Sequence, residues 1–216
     1  MKIDFVSDIS CPWCVIGLKA LEQAIATVPG LQVEIEFQPF ELNPAMAPEG
    51  QDIGEHLAEK YGASPEQSAA TREAIRQRGA ALDFNFDMGA RSRIYNTFDA
   101  HRLLHWAYEQ SPAKQRALKM ALFTTYFTDG QDPSSHALLL AAAMSVGLDE
   151  AGAKAVLESD RYTAEVRAAQ ALYRQHGINA VPAVIINNKH LISGGQPVEV
   201  FAQALRQIAA ETGSAA

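Results

Sequence analysis

Apolar and polar positions change their period along the chain. Residues 2 to 7 carry Ile3, Phe5 and Val6 and end at Ser7-Asp8, the pattern of a short strand. Pro12 suits a first helical position, where no backbone donor is needed. Leu18, Leu21 and Ile25 then repeat at helical spacing until Pro29-Gly30 stops them. Leu31, Val33, Ile35 and Phe37 alternate with Gln32, Glu34 and Glu36, which predicts a strand with one buried face, near the edge of a sheet.

From about 52 to 160 the period is helical and strand signals almost vanish. Ser64-Pro65-Glu66-Gln67 reads as a capping box with proline at the first helical position. Ser111-Pro112 and Asp132-Pro133 repeat the cap-then-proline start. Gly147 closes one helix, and Asp149-Glu150 places acids at the positive end of the next. A further helix spans about Thr163 to His176, closed by Gly177. Ala183 to Ile186 and His190 to Ile192 flank Asn187-Asn188 as a hairpin, and Val198, Phe201, Leu205 and Ile208 stripe a last helix after Pro197. The tail from Thr212 to Ala216 is expected to fray.

No repeat or Gly/Ser-rich linker divides the chain. The order of elements predicts an α/β protein in which residues 1–45 and 161–216 form one domain and residues 46–160 a helical insertion packed on it. The 216 residues are 48% apolar and 20% charged, an ordinary globular profile. The net charge of −7 leaves no electrostatic footprint for nucleic acid or anionic lipid. The longest apolar run, Ala137 to Met144, is far shorter than the ~18 residues of a membrane span. The first eight residues lack the basic and apolar regions of a secretory signal, so a soluble, cytoplasmic protein is expected.

The two cysteines, Cys11 and Cys14, sit in Cys11-Pro12-Trp13-Cys14 where a strand gives way to a helix. Three residues apart, they cannot staple distant segments. Unpaired N–H groups and the helix dipole favour negative charge on a sulfur at that point, so Cys11 is the expected nucleophile. Cys14, one turn on, can resolve a mixed disulfide formed there. Structural zinc needs further ligands, and no second cysteine pair exists. Two inert buried thiols would be the bland alternative. Pro182 in Asn179-Ala180-Val181-Pro182-Ala183 belongs at the start of a strand or in a turn, since proline is poorly tolerated inside a central strand.

Asp8-Ile9-Ser10-Cys11-Pro12-Trp13-Cys14-Val15-Ile16-Gly17, the later Val181-Pro182 and Gly194-Gly195-Gln196-Pro197 resemble the FrnE-type branch of the DsbA-like thioredoxin superfamily. The resemblance spans essentially the whole chain. It implies a thioredoxin-like fold with a large all-helical insertion and thiol–disulfide exchange with protein or small-molecule thiols and disulfides. It also implies a cis Val181-Pro182 bond, with the Val181 backbone offered to an extended substrate beside Pro12 and Trp13. No cofactor beyond the thiols is expected, with glutathione a candidate co-substrate. The periplasmic oxidants of the superfamily usually carry histidine inside the motif, where this chain has Trp13. The related 2-hydroxychromene-2-carboxylate isomerases and kappa-class glutathione transferases usually have serine where Cys11 stands, so the cysteine pair favours redox exchange. A glutathione-dependent isomerase or transferase is the alternative on this scaffold, and a non-catalytic holdase is the alternative from another class.

Other positions carry weaker signals. His101 and His105 share a helical face, and with Phe98 and Tyr108 they could line a groove at the redox site, hold a metal, or simply belong to the core. Trp13 is expected to be partly exposed. Asp8 reads as a turn residue or a proton carrier beside Cys11. Arg91 and Arg93 read as solvated, or as contacts for an anionic thiol.

Overall fold

A computed structural model describes residues 1–211 and Gly213. The chain begins β1 (Lys2–Ser7), α1 (Pro12–Ala26), β2 (Glu34–Pro39). A mostly helical stretch follows: β3 (Gln51–Asp52), α2 (Ile53–Tyr61), α3 (Pro65–Ala80), β4 (Arg93–Ile94), α4 (Phe98–Gln110), α5 (Pro112–Phe127), α6 (His136–Ser145) and α7 (Glu150–Leu157). It closes with α8 (Thr163–Gln175), β5 (Ala183–Ile186), β6 (His190–Ser193) and α9 (Val198–Glu211). This is a thioredoxin-like α/β fold carrying a large helical insertion.

The main sheet runs β2-β1-β5-β6, with β1 parallel to β2 and the other pairings antiparallel. β1 is buried on both faces. Ile3 and Phe5 enter the main core, and Val6 joins a smaller cluster with Phe40, Tyr173, Ile178 and Ala183. β2 is an edge strand, and it begins at Glu34 instead of Leu31. Its ladder opens opposite Lys2, so Leu31 and Val33 have no strand beside them and sit half-buried ahead of it. The outer rim of β2 is covered at Phe37, whose N–H and C=O both bond the Gln115 side-chain amide of α5, at 2.9 and 3.1 Å. One side chain thus stands in for a missing strand. Asn187 and Asn188 turn β5 into β6 with φ of 52° and 54°, the left-handed region asparagine tolerates.

Ser64 and Gln67 form the reciprocal capping box at α3, and Ser111 and Asp149 cap α5 and α7 by accepting from the Lys114 and Gly152 amides. Asp132-Pro133 departs from expectation. Asp132 accepts from the Ser134 amide and hydroxyl at 2.8 and 2.6 Å, a local turn, and the helix starts later at His136. The short β3-β4 ladder has no counterpart in the sequence pattern, because two-residue strands leave no alternation to read. Arg93 secures it by donating to the Glu49 and Gly50 carbonyls.

The inserted helices share the main core with β1 and α1: Phe5, Leu18 and Leu21 belong to the same cluster as Leu103, Leu118, Phe123, Leu139 and Val156. Among the described residues no helix is long and apolar enough to cross a membrane. The expected fraying falls on Thr212 and residues 214–216, which lie outside the described residues.

Candidate active site

The cysteine pair lies where β1 hands over to α1. Asp8 ends the strand and its carbonyl accepts from the Cys11 amide at 3.3 Å, turning the chain so that Cys11 becomes the helix N-cap residue with Pro12 at the helix start. Its side chain caps no amide, Pro12 offers none, and the Cys14 amide donates to the Cys11 carbonyl at 3.1 Å, so what the sulfur gains from the helix is its position at the positive end of the dipole. Both thiols are free and buried, Cys14 completely. The Cys11 S–H donates to the Val181 carbonyl at 3.5 Å, which brings together two positions 170 residues apart.

The Val181–Pro182 bond is cis, and Val181 is half-buried beside the cysteine while Pro182 is buried behind it. Two glycines permit this approach. A Cβ on Gly17 of α1 would stand 3.0 Å from Pro182 Cγ, and one on Gly195 would meet the Trp13 carbonyl oxygen at 2.9 Å. The Gly194-Gly195 loop and the proline loop therefore clasp the first turns of α1, and a side chain at either glycine would push them off. Trp13 is half-buried, with the Arg78 guanidinium 5.2 Å above its ring.

Beneath the pair the site is dry and charged. Asp8 is fully buried. Its carboxylate accepts from the Thr97 hydroxyl at 2.8 Å, the Leu42 amide at 2.7 Å, and the amide and hydroxyl of Ser10 at 3.2 and 2.9 Å, with His101 Nε2 at 3.6 Å. Burial alone would raise the carboxyl, but His101, followed by Leu42 and Thr97, outweighs it and holds the group at about 2. Asp8 is thus a saturated anchor and a poor base. Burial pushes the Cys14 thiol well up, and the neighbouring Cys11 adds to the shift.

Sequence reasoning missed Lys119 of α5. It is fully buried, its Nζ has no hydrogen-bond partner, and it lies 5.0 Å from the Phe123 ring centroid and 5.9 Å from that of Phe37. Burial pushes its ammonium down to about 8, against the upward pull of Cys14, then Asp8 and Cys11. A readable signal existed: with Gln115, Leu118, Leu122, Phe123 and Tyr126 buried, Lys119 falls on the inward stripe of its helix.

A cavity of about 720 Å³ opens between the pair and the insertion. Cys11, Pro12, Trp13 and Val181 line it; Cys14 does not. The Phe98, His101, His105, Tyr108 stripe does not line it either. His101 turns to Asp8, His105 stacks on Tyr162 at 5.1 Å, and the Tyr108 hydroxyl donates to Glu34 at 3.1 Å. No group of three or more His, Cys, Asp or Glu among the described residues is placed to hold a metal ion. Arg93 is half-exposed and secures the β3-β4 ladder, whereas Arg91 is not solvated: it is buried against Tyr126 and Phe127 with one edge in the cavity wall.

The model of the DSBA-like thioredoxin domain matches residues 2–206. The chain belongs to that family. It is 36% identical to the probable DsbA oxidoreductase SCO1869 from Streptomyces coelicolor, whose crystal structure superposes with a TM-score of 0.89 over 96% of this chain and 89% of that one. The uncharacterized protein YwbO of Bacillus subtilis (strain 168) is 28% identical over 206 residues, 95% of this chain and 96% of that protein. A 2-hydroxychromene-2-carboxylate isomerase shares the fold over the full length of both chains, with a TM-score of 0.74 at 13% identity. In this DSBA-like chain the family's strand-to-helix junction carries cysteine at both ends of the quartet.

Proposed function

We propose that this protein is a thiol–disulfide oxidoreductase of the FrnE-type branch, acting in the cytoplasm on protein or small-molecule thiols and disulfides. The observation that carries the reading is the placement of the two sulfurs. Cys11 stands at a helix start on a cavity wall, against the Val181 carbonyl, while Cys14 waits one turn deeper. The Cys11 thiolate attacks one sulfur of a substrate disulfide, and the other sulfur leaves with the bonding electrons. Cys14 then attacks the Cys11 sulfur, its proton passing to the departing thiolate or to solvent, which leaves a Cys11–Cys14 disulfide and a substrate reduced by two electrons. Run backwards, the same steps oxidise a dithiol. The Val181 backbone aligns an extended substrate, Pro12 and Trp13 shape the rim, and glutathione serves as a co-substrate that recharges the pair.

Cys11→Ser brings exchange to the uncatalysed rate. Cys14→Ser accumulates a mixed disulfide on Cys11 that intact-mass spectrometry detects after addition of a disulfide substrate. An adduct that forms on Cys14 in Cys11→Ser, with none on Cys11 in the reciprocal variant, reverses the roles. Turnover that survives loss of Cys14 and requires glutathione fits an isomerase or transferase instead.

A further inference from the structure

The cavity beside Cys11 carries chemistry that disulfide exchange alone does not call for. Its volume of about 720 Å³ falls within the roughly 300 to 1,000 Å³ of small-molecule sites. Phe40, Leu42, Ile53, Ile75, Met88 and Ile94 give it apolar walls. In a chain of net charge −7, the same walls hold Lys60, Arg72, Arg91 and Arg174 against a single acid, Glu41. That acid is already engaged, accepting from Arg167 and Gln170 through Oε2.

The cations differ in what they lack. Lys60 donates to the Leu42 carbonyl and the Asn43 side chain at 2.7 and 2.6 Å, and Arg72 Nε donates to the Ser68 carbonyl. Arg91 is only 8% exposed, and its Nε is buried with no partner. Its guanidinium carbon is held 4.8 and 4.9 Å over the Tyr126 and Phe127 rings. The Nε is sealed away from solvent, but the guanidinium's remaining edge lines the cavity, where an arriving carboxylate forms a charge-assisted bond. Glu41 Oε1 is also buried without a partner. Arg174 is exposed, its guanidinium 5.6 Å from the Phe40 ring centroid, so among the four cations Arg91 alone is buried and already desolvated, which makes it the place for an anion.

We propose that this cavity is a binding site for a low-molecular-mass thiol or disulfide whose apolar body ends in a carboxylate, the carboxylate bound by Arg91 and the sulfur presented to Cys11. The proposal rests on the exchange reading above and names its substrate class. The reaction is balanced: the Cys11 thiolate breaks the ligand's S–S bond, one thiolate leaves with the electron pair, Cys14 displaces the second and passes its proton to it or to solvent, and the cysteine pair is oxidised by two electrons.

The test uses bis(4-carboxyphenyl) disulfide and its dimethyl ester, with stopped-flow exchange by the reduced protein. With each rate divided by that of a simple aliphatic thiol, which removes the difference between the two leaving groups, the wild type reacts about tenfold faster with the acid than with the ester, the ratio that one charge-assisted bond supports. Added salt shrinks this preference. In Arg91→Met the acid-to-ester ratio falls towards one, and Arg91→Lys restores part of it, which separates the charge from the stacking on Tyr126 and Phe127. A ratio near one in the wild type, or one that Arg91→Met leaves intact, overturns the proposal. In Cys11→Ser, which cannot exchange, the unreactive 4-(methylthio)benzoate binds by calorimetry and Arg91→Met abolishes that binding. Such binding without exchange by the wild type would sink the redox reading and leave the anion site standing. Exchange without such binding would do the reverse.

Discussion

Cys11 and Cys14 occupy one turn of one helix and two different media. Cys11 borders a cavity of about 720 Å³ and faces the Val181 carbonyl. Cys14, about 4.5 Å further along the axis, is sealed in the core, and the cation acting on it is Lys119 from the inserted helix α5. In the proposed exchange, attack on a substrate needs access whereas resolution needs only reach, so depth divides the tasks between two identical side chains. The contrast also gives the insertion a part in the site: it supplies one wall of the cavity and the charge beneath the pair.

Lys119 tests the interior side with the largest effect. Its folded value of about 8 lies below the ordinary 10.5, so below about 8 it is protonated folded and unfolded, and burial costs roughly 3 kcal/mol. Between about 8 and 10.5 the folded protein has released the proton that the unfolded chain still holds, and the cost fades. Lys119→Met therefore stabilises the reduced protein by up to roughly 3 kcal/mol near neutral pH. Urea denaturation shows the gain shrinking as the pH climbs through that window. The same variant slows release of the mixed disulfide, because Cys14 loses the cation that favours its thiolate. A less stable variant near neutral pH would show the ammonium to be partnered and end the contrast.

Asp8 comes next, with the opposite sign. Held at about 2 against an ordinary 3.8, it contributes about 2 kcal/mol that is fully present above 3.8 and lost as the pH falls towards 2. The difference in unfolding free energy between wild type and Asp8→Asn should be about that size near neutral pH and close to zero near pH 2. A difference that does not change with pH would remove the carboxylate as the cause.

Gly195→Ala breaks the clasp that seats Cys11. The new Cβ meets a backbone carbonyl, which cannot swing aside as a side chain can, so a loss of about 1 to 2 kcal/mol is expected together with slower exchange. Unchanged exchange would mean that the loop does not position the first turn of α1. The smallest effect belongs to Arg78→Ala, which removes a cation from the Trp13 face at a cost of about 0.5 to 1 kcal/mol and makes the rim indole easier to quench with neutral acrylamide.

Periodicity and local chemistry made much of this molecule legible. The alternation around Phe37, the capping box at Ser64 and the asparagine pair at the hairpin are contests between neighbours in sequence, and each formed as its residues dictate. Misreadings arose where a distant partner decided. Leu31 and Val33 have the pattern of a strand, but only the Met1 amino group reaches the segment, at the Gln32 carbonyl, and no ladder forms; Asp132 closes a turn in place of capping a helix. Arg91 looks solvated until Tyr126 and Phe127 cover it.

The sequence by itself determined the cysteine pair and its place at a helix start, because spacing and capping act within a few residues, while the meeting of Pro182 with that pair followed only from the family resemblance. Only the tertiary structure decided which sulfur borders the cavity, which acid is saturated and which cation is left without a partner. Burial and hydrogen-bond satisfaction depend on what other segments bring: Thr97 and His101 from 89 and 93 residues beyond Asp8, Val181 from 170 beyond Cys11, and Lys119 from the inserted helix. Those encounters are products of chain packing, and no local period encodes them.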